Sequence, residues 1–257
     1  MILLFDIGNT NTHVALANGQ RVIKRVNIST ADWFNGRAEK RMITFVRKTK
    51  IEGAALCSVV PRVTPVVVSL CRKRWKRKCL ELTAKTILGV GIDYPKPETI
   101  GPDRIANALA AKHFFGAPSV VVDFGTAVTF DVVDAKGNYV GGIIAPGLAA
   151  MTDYLHEKTA LLPKIKIREV SAIIGKNTRQ AMLIGAVHGY RGLVRELLQE
   201  LKSKLNCTEL PVVATGGYAQ LMARNLPEIS SVDPLLTLHG LRLFWEAQGK
   251  QGTDLCR

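Results

Sequence analysis

The sequence predicts an α/β protein made of two similar halves, each running βββαβαβ, and three observations carry that prediction. Short apolar runs suited to strands alternate with longer helical stretches across short loops, an order that lays helices over sheets. Two stretches share one layout: LLFDIGNTNTHVAL at 3–16 and VVVDFGTAVTFDVV at 120–133 both read apolar strand, Asp-x-Gly, small polar residue, apolar strand. Laid over one another, Asp123 falls on Asp6, Gly125 on Gly8 and Thr126 on Asn9, an offset of 117 in a chain of 257 residues. Such internal similarity marks a duplicated unit. The halves are read as 1–117 and 118–257, with a cleft expected between them.

In the first half, the apolar run 2–5 suits a buried strand and stops at Asp6. Gly8, Asn9, Thr10 and Asn11 supply turn chemistry, because Gly and Asn tolerate positive φ. The chain returns as a second strand from His13, and a third is expected near 21–28. A helix follows from about Thr30, with Ser29 or Thr30 as its N-cap. GAALCSVVP at 53–61 reads as a strand closed by Pro61; residues 62–80 read as a helix that Pro65 can start within its first turn. CLELTA is the next strand. VGIDYPKPETIGPDR at 90–104 is the one long Pro/Gly-rich connection, and long loops in compact domains are usually functional.

The second half repeats the order. Strands are expected at 119–124, 127–133 and 139–145, with DAKGN as a hairpin loop. A helix begins near Gly147, and a long one runs from about Asn177 to Lys204. LPVVATGG is a strand entering a glycine turn, and Leu235, Leu236, Leu238, Leu241 and Phe244 line a final helix over about 234–248.

Bulk properties set the class. Hydrophobic residues make up 47% of the chain, which suits a globular core, and no apolar run reaches the ~18 residues that a membrane span needs. The N-terminus has no basic region and no cleavage signature, so a cytoplasmic protein is expected. Five cysteines, at 57, 71, 79, 207 and 256, form no C-x-x-C and read as reduced thiols. The net charge of +14 is concentrated partly in CRKRWKRKC at 71–79. A basic cluster around a Trp can bind nucleic acid, but no nucleic-acid motif accompanies it. It reads as the solvated face of a surface helix, and nucleic acid is not expected as a partner. His113, His156, His188 and His239 stand apart from any acid or Cys motif and read as structural.

Motifs spread along the whole chain bear a resemblance. DIGNTNTHVAL, GPDRIANALAA at 101–111, DFGTAVTFDVV, GGIIAPG at 141–147, GKNTRQAMLIGAVHG at 175–189 and ATGGYA at 214–219 resemble, in order and spacing, the motifs of type III pantothenate kinases, members of the superfamily of acetate and sugar kinases, Hsp70 and actin. The resemblance implies two actin-like, ribonuclease H-like domains. It implies an activity: ATP-dependent phosphorylation of pantothenate to 4′-phosphopantothenate, the first step of coenzyme A synthesis. One motif departs from the family: its Tyr-x-Asn-Pro reads Tyr94-Pro95-Lys96-Pro97 here, with Lys in place of Asn.

Phosphoryl transfer needs charge neutralisation, in-line positioning and a base near the acceptor hydroxyl. The resemblance assigns Asp6, Ile7, Gly8, Asn9, Thr10, Asn11, Thr12 and His13 to ATP phosphates, with Asp6 holding Mg²⁺ through water. It assigns Asp123 to a monovalent cation, K⁺ or NH₄⁺; the Asp-x-Gly alone would equally suit Mg²⁺. Thr126, Gly216 and Gly217 are assigned to ATP. Asp103 is the candidate base, at the start of an apolar helix whose dipole is expected to stabilise its charge and weaken it as a base. Tyr94, Gly101, Pro102, Asp103 and Arg104 would contact pantothenate, and Thr178 would do so from the neighbouring subunit of a homodimer. Two alternatives stay open at this point: a kinase of another small hydroxyl compound such as a sugar, and a non-catalytic nucleotide- or nucleic-acid-binding regulator.

Overall fold

The structure, a computed structural model, describes residues 1–254. In chain order the first elements are β1 (Ile2–Ile7), β2 (Asn11–Ala17), β3 (Val22–Ser29), a 3₁₀ turn (Thr30–Phe34), α1 (Arg37–Val46), β4 (Gly53–Ser58), α2 (Thr64–Trp75), β5 (Cys79–Glu81), β6 (Gly91–Ile92) and α3 (Pro102–Phe115). Then come β7 (Ser119–Phe124), β8 (Ala127–Val133), β9 (Asn138–Pro146), α4 (Leu148–Lys158) and α5 (Thr178–Ile184). A π-helical turn (Gly185–Gly189) joins α5 to α6 (Tyr190–Lys204); β10 (Val212–Thr215), α7 (Ala219–Ala223), β11 (Ser231–Val232) and α8 (Leu236–Asp254) complete the chain.

Two compact units result, one of residues 1–114 with the described residues from 235 onward and one of 115–234. The first holds the sheet β3-β2-β1-β4-β5; the second holds strands in the order β11-β10-β7-β8-β9. In each, an antiparallel hairpin continues into parallel pairing, β1 with β4 and β7 with β10.

The duplication goes deeper than the Asp-x-Gly match. Burial follows one pattern along β1 and β7, and one along β2 and β8. The register slips at Leu16/Ala17 in the first unit and at Val132/Val133 in the second, the matching place in both. The turn breaks the symmetry: three residues, 8–10, separate β1 from β2, but only 125 and 126 separate β7 from β8. The offset of 117 for the first strands therefore falls to 116 for the second.

β1 alternates. Leu3, Phe5 and Ile7 join Ala54 and Leu56 of β4 under α1 and α2, where Met42 and Val67 are fully buried. Each such large side chain contributes about 1.5–3 kcal/mol by leaving water. Ile2, Leu4 and Asp6 point to the opposite face, because successive strand residues alternate sides. That face takes α8, which packs on β1 and β4. Gly240 lets α8 approach α3 closely: a Cβ there would stand 2.0 Å from the Ala106 carbonyl oxygen. Thr237 donates to Asn107 Oδ1 at 2.8 Å, and Arg242 Nη1 donates to the Gly19 carbonyl at 2.8 Å.

Three expectations change. The helix expected from Thr30 opens as a 3₁₀ turn, and α1 proper starts at Arg37. Ser29 makes no side-chain cap, and the Thr30 hydroxyl donates instead to the Gly8 carbonyl at 2.7 Å, a tertiary bond to the first hairpin turn. The basic helix stops at Trp75, because Lys76 turns into the left-handed region at φ 55 and its N–H caps Cys71. The final helix, grouped by sequence with 118–257, packs with the first unit, since its apolar face is the one that covers β1 and β4. Cys57, Cys71, Cys79 and Cys207 are free thiols, and Cys256 lies outside the described residues.

Candidate active site

In the first unit the fold brings together Asp6, His13, Cys57 and Asp103. β1 delivers Asp6 at its C-terminal end, directly across the antiparallel pair from His13 and across the parallel pair from Cys57. The Cys57 thiol donates to Asp6 Oδ1 at 3.5 Å. His13 Nδ1 meets Asn27 Oδ1 at 2.8 Å, which sets the ring as a donor at that nitrogen. Desolvation raises Asp6 to a pKa of about 6; His13 opposes the rise and the Asp103 carboxylate adds to it. Burial also pushes the Cys57 thiol well up, with Asp6 and Asp103 contributing, so it stays a neutral donor.

Asp103 sits in the first turn of α3, directly after Pro102. Its Oδ1 accepts from the Arg104 backbone N–H at 3.0 Å, and the carboxylate folds back over Gly101, where a Cβ would stand 2.5 Å from that oxygen. Gly101 is thus required for this carboxylate position. The helix dipole was expected to make Asp103 a weak base. Its pKa is raised instead: the cost of desolvating the charge exceeds the help from the Arg104 N–H and guanidinium. A carboxylate raised in this way is a better proton acceptor near neutral pH.

The other residues of the first hairpin divide by side chain. Ile7 is in the core, and Thr12 is fully buried, its hydroxyl meeting Thr30 Oγ1 at 3.1 Å and accepting from Trp33 Nε1 at 3.0 Å. Only their backbones can face a ligand. The Gly8 N–H closes the turn onto Asn11 O at 3.0 Å, and Asn9, Thr10 and Asn11 are exposed at the tip. Tyr94 lies exposed at the head of its loop, where Thr99 Oγ1 donates to the Lys96 carbonyl at 2.7 Å and a 3₁₀ turn begins at Pro97.

In the second unit, Asp123, one residue before the end of β7, lies beside Thr215 of β10. Its carboxylate stands against Gly216, where φ is +89 and a Cβ would be 2.4 Å from Asp123 Oδ1; both facts demand glycine. Asp123, Thr126 at the hairpin tip and the Gly216–Gly217 turn thus gather at one end of this sheet. Thr178 is the exposed first residue of α5, behind Asn177, whose side chain accepts from the Gln180 N–H at 2.9 Å.

Sequence reasoning did not single out Cys57 as a site residue. It counted only as one reduced thiol of five, because its pairing with Asp6 depends on a parallel register between strands about fifty residues apart. The histidines set aside by sequence have these partners: His156 meets the Leu162 carbonyl at 2.9 Å, His188 that of Val170 at 3.0 Å, and His113 and His239 each meet the Phe114 ring edge-on.

The type III pantothenate kinase family profile matches residues 2–200 of this chain. A protein of Akkermansia muciniphila named type III pantothenate kinase is 47% identical over 243 residues, 94% of this chain and 96% of that one. The chain belongs to the type III pantothenate kinase family. A second relative of that name, from Methylacidiphilum infernorum, is 41% identical over 95% of this chain and 88% of its own. Among solved structures, MreB 5 of Spiroplasma citri bound to AMPPNP superposes with a TM-score of 0.56 at 11% identity, covering 98% of both chains, which supports the duplicated actin-like fold. Family membership makes the chain a phosphotransferase that phosphorylates pantothenate with ATP, at the entry to coenzyme A synthesis.

Proposed function

We propose that the chain carries out this reaction with Asp103 as the general base. Asp103 takes the proton of the pantothenate 4′-hydroxyl as that oxygen attacks the γ-phosphorus of ATP, and ADP leaves with the electron pair of the broken P–O bond. The observation that carries the proposal is the convergence of Asp6 and Asp103, two carboxylates each raised by desolvation, with Asp103 close enough to add to the rise at Asp6. Such strained acids cluster at functional sites.

Asp6 fits a divalent ion held through water. It is a partly buried carboxylate in need of a counter-charge. Mg²⁺ bound there with ATP would neutralise phosphate charge; the exposed turn 9–11 would place the phosphates, and Cys57 would hold the Asp6 carboxylate in orientation. Thr126 and the Gly216–Gly217 turn would meet ATP in the second unit. Asp123 beside Gly216 suits a monovalent cation, K⁺ or NH₄⁺. Tyr94, Gly101, Pro102 and Arg104 would hold pantothenate, Arg104 as a donor to one of its polar groups.

A homodimer completes the reading, with Thr178 serving the neighbour's site. It agrees with the exposure of large apolar side chains in the same unit: Ile144, Tyr154, Leu161, Ile173 and Ile174 are all more than half exposed. A cytoplasmic setting agrees with the free thiols, and no described helix is long and apolar enough to cross a membrane.

The test is ADP release with pantothenate beside a panel of sugars, in K⁺, NH₄⁺ and Na⁺ buffers. The proposal expects turnover with pantothenate alone and its collapse in Na⁺. Equal rates in all three buffers would remove the cation from the mechanism; turnover of a sugar in preference to pantothenate would overturn the assignment of the acceptor loop.

A further inference from the structure

The net charge is not shared between the units. Residues 1–114 with 235–257 hold 23 Lys and Arg against 10 Asp and Glu; residues 115–234 hold 12 against 11. Within the first unit, six of the cations line two grooves that flank α1. A groove of about 510 Å³ between β3 and α1 is lined by Lys24, Lys40, Arg41 and Arg47 together with Val26, Thr44 and Phe45. On the other flank of α1, a groove of about 620 Å³ is lined by Lys73 and Arg74 of α2, over Trp33 and Leu70. Lys40, Arg41, Arg47, Lys73 and Arg74 are exposed, and none has an ion pair among the described residues.

This face is not the one that carries the candidate active site. α1 and α2 cover the side of the sheet reached by Leu3, Phe5 and Ile7, whereas Asp6 and Cys57 point to the other side. The cations therefore do not serve the carboxylate pair. By sequence 72–78 is one cluster on a solvated helix face; the fold sets Lys73 and Arg74 of that cluster on the flank of α1 opposite a second group from β3 and α1.

We propose that the α1–α2 face binds single-stranded nucleic acid. Two cationic grooves side by side suit a phosphate backbone, and Phe34, 54% exposed and next in the chain to the groove-lining Trp33, offers a ring on which a base can stack; Arg62 already lies 5.2 Å over it. A membrane is the poorer occupant. The apolar side of α1, Ala38, Met42 and Val46, is spent in the core and cannot insert. An acidic protein surface is the poorer match too, since the interface would hold almost only one sign of charge on this side, with Glu39 the one acid lining either groove.

The experiment uses the whole chain and a fluorescent (dT)20 strand, titrated by anisotropy from 50 to 300 mM KCl. Five phosphate contacts predict a log–log salt slope near −3.5, about −0.7 for each. Lys40, Arg41, Arg47, Lys73 and Arg74 are replaced by Gln together. A control replaces Lys158, Lys164, Lys166, Arg168 and Lys204 by Gln, giving the same net charge from the other unit. The first set should weaken binding at least tenfold at 150 mM and flatten the slope; the control should change affinity by less than threefold. The subsets Lys40→Gln/Arg41→Gln/Arg47→Gln and Lys73→Gln/Arg74→Gln, each weakening binding in part, stand in if the fivefold variant melts early. Equal losses from both sets would reduce the effect to net charge and overturn the proposal. So would no binding at 150 mM, or displacement of (dT)20 by polyglutamate or anionic vesicles as readily as by unlabelled strand.

Discussion

Asp6 is held where folding alone would not place a charge. Its pKa of about 6 lies above the ordinary carboxylate value, so between about pH 4 and pH 6 the folded chain keeps a proton that the unfolded chain has released. Stability from this group is present at low pH, falls as pH rises through that window, and levels off above it. Ionised Asp6 then costs up to about 3 kcal/mol in the unliganded protein, from ~1.4 kcal/mol for each pKa unit. Asp6→Asn removes that cost. Its unliganded form is expected to melt several degrees higher than the parent at pH 7.5, with the difference shrinking toward pH 4.5, while its affinity for Mg·ATP falls. Thermal scans with and without Mg·ATP check both halves; a lower melting point without ligand would make Asp6 a structural anchor. The acid itself was legible in the sequence, because an Asp closing a buried strand has no cheap structural role. Cys57 was not, because nothing local marks a thiol that donates across a parallel pair.

Among elements, α8 shows how position in the fold outranks position in the chain. It closes the face of β1 and β4 on which Asp6 lies, and it does so through Gly240 against the Ala106 carbonyl. Gly240→Ala must push α8 or α3 aside, and overpacking of this kind costs about 1–3 kcal/mol. The expected result is a melting point several degrees lower and, because α3 carries Asp103, a reduced kcat with little change in ATP affinity. A variant as stable as the parent would show that the helices separate freely. The longer strands and the two Asp-x-Gly tips were readable from apolar runs and turn residues; the two-residue strands β6 and β11 were not. The start of α1 and the end of α2 were not. Thr30 is drawn off to the Gly8 carbonyl, and the helix stop at Lys76 rests on a left-handed residue with no glycine to announce it.

For the whole molecule, the duplicated hairpins were legible because both halves keep the same residue chemistry at the same spacing, and they fold with the same burial and the same register slip. The gathering of cations from β3, α1 and α2 on one face was not, since it depends on which side of the sheet each helix covers. If Thr178 completes the neighbouring site, Thr178→Arg and Asp103→Asn will each be inactive alone, and mixing them under conditions of verified subunit exchange will restore part of the activity through the one hybrid site that keeps both native residues. No recovery would count against a shared site.

The two carboxylates do separable work in the proposed mechanism: Asp6 with Mg·ATP, Asp103 with the acceptor hydroxyl. The direct measurement is Asp103→Asn, which keeps the side chain's size and removes its charge, assayed for steady-state turnover of pantothenate beside a calorimetric titration with Mg·ATP. Loss of a positioned general base predicts a kcat lower by roughly 10²-fold or more, with ATP affinity within about threefold of the parent because the hairpin turn and the Gly216–Gly217 turn are unchanged. Turnover near the parent rate would show that the Gly101–Arg104 segment does not carry the chemistry, and would contradict the mechanism at its centre.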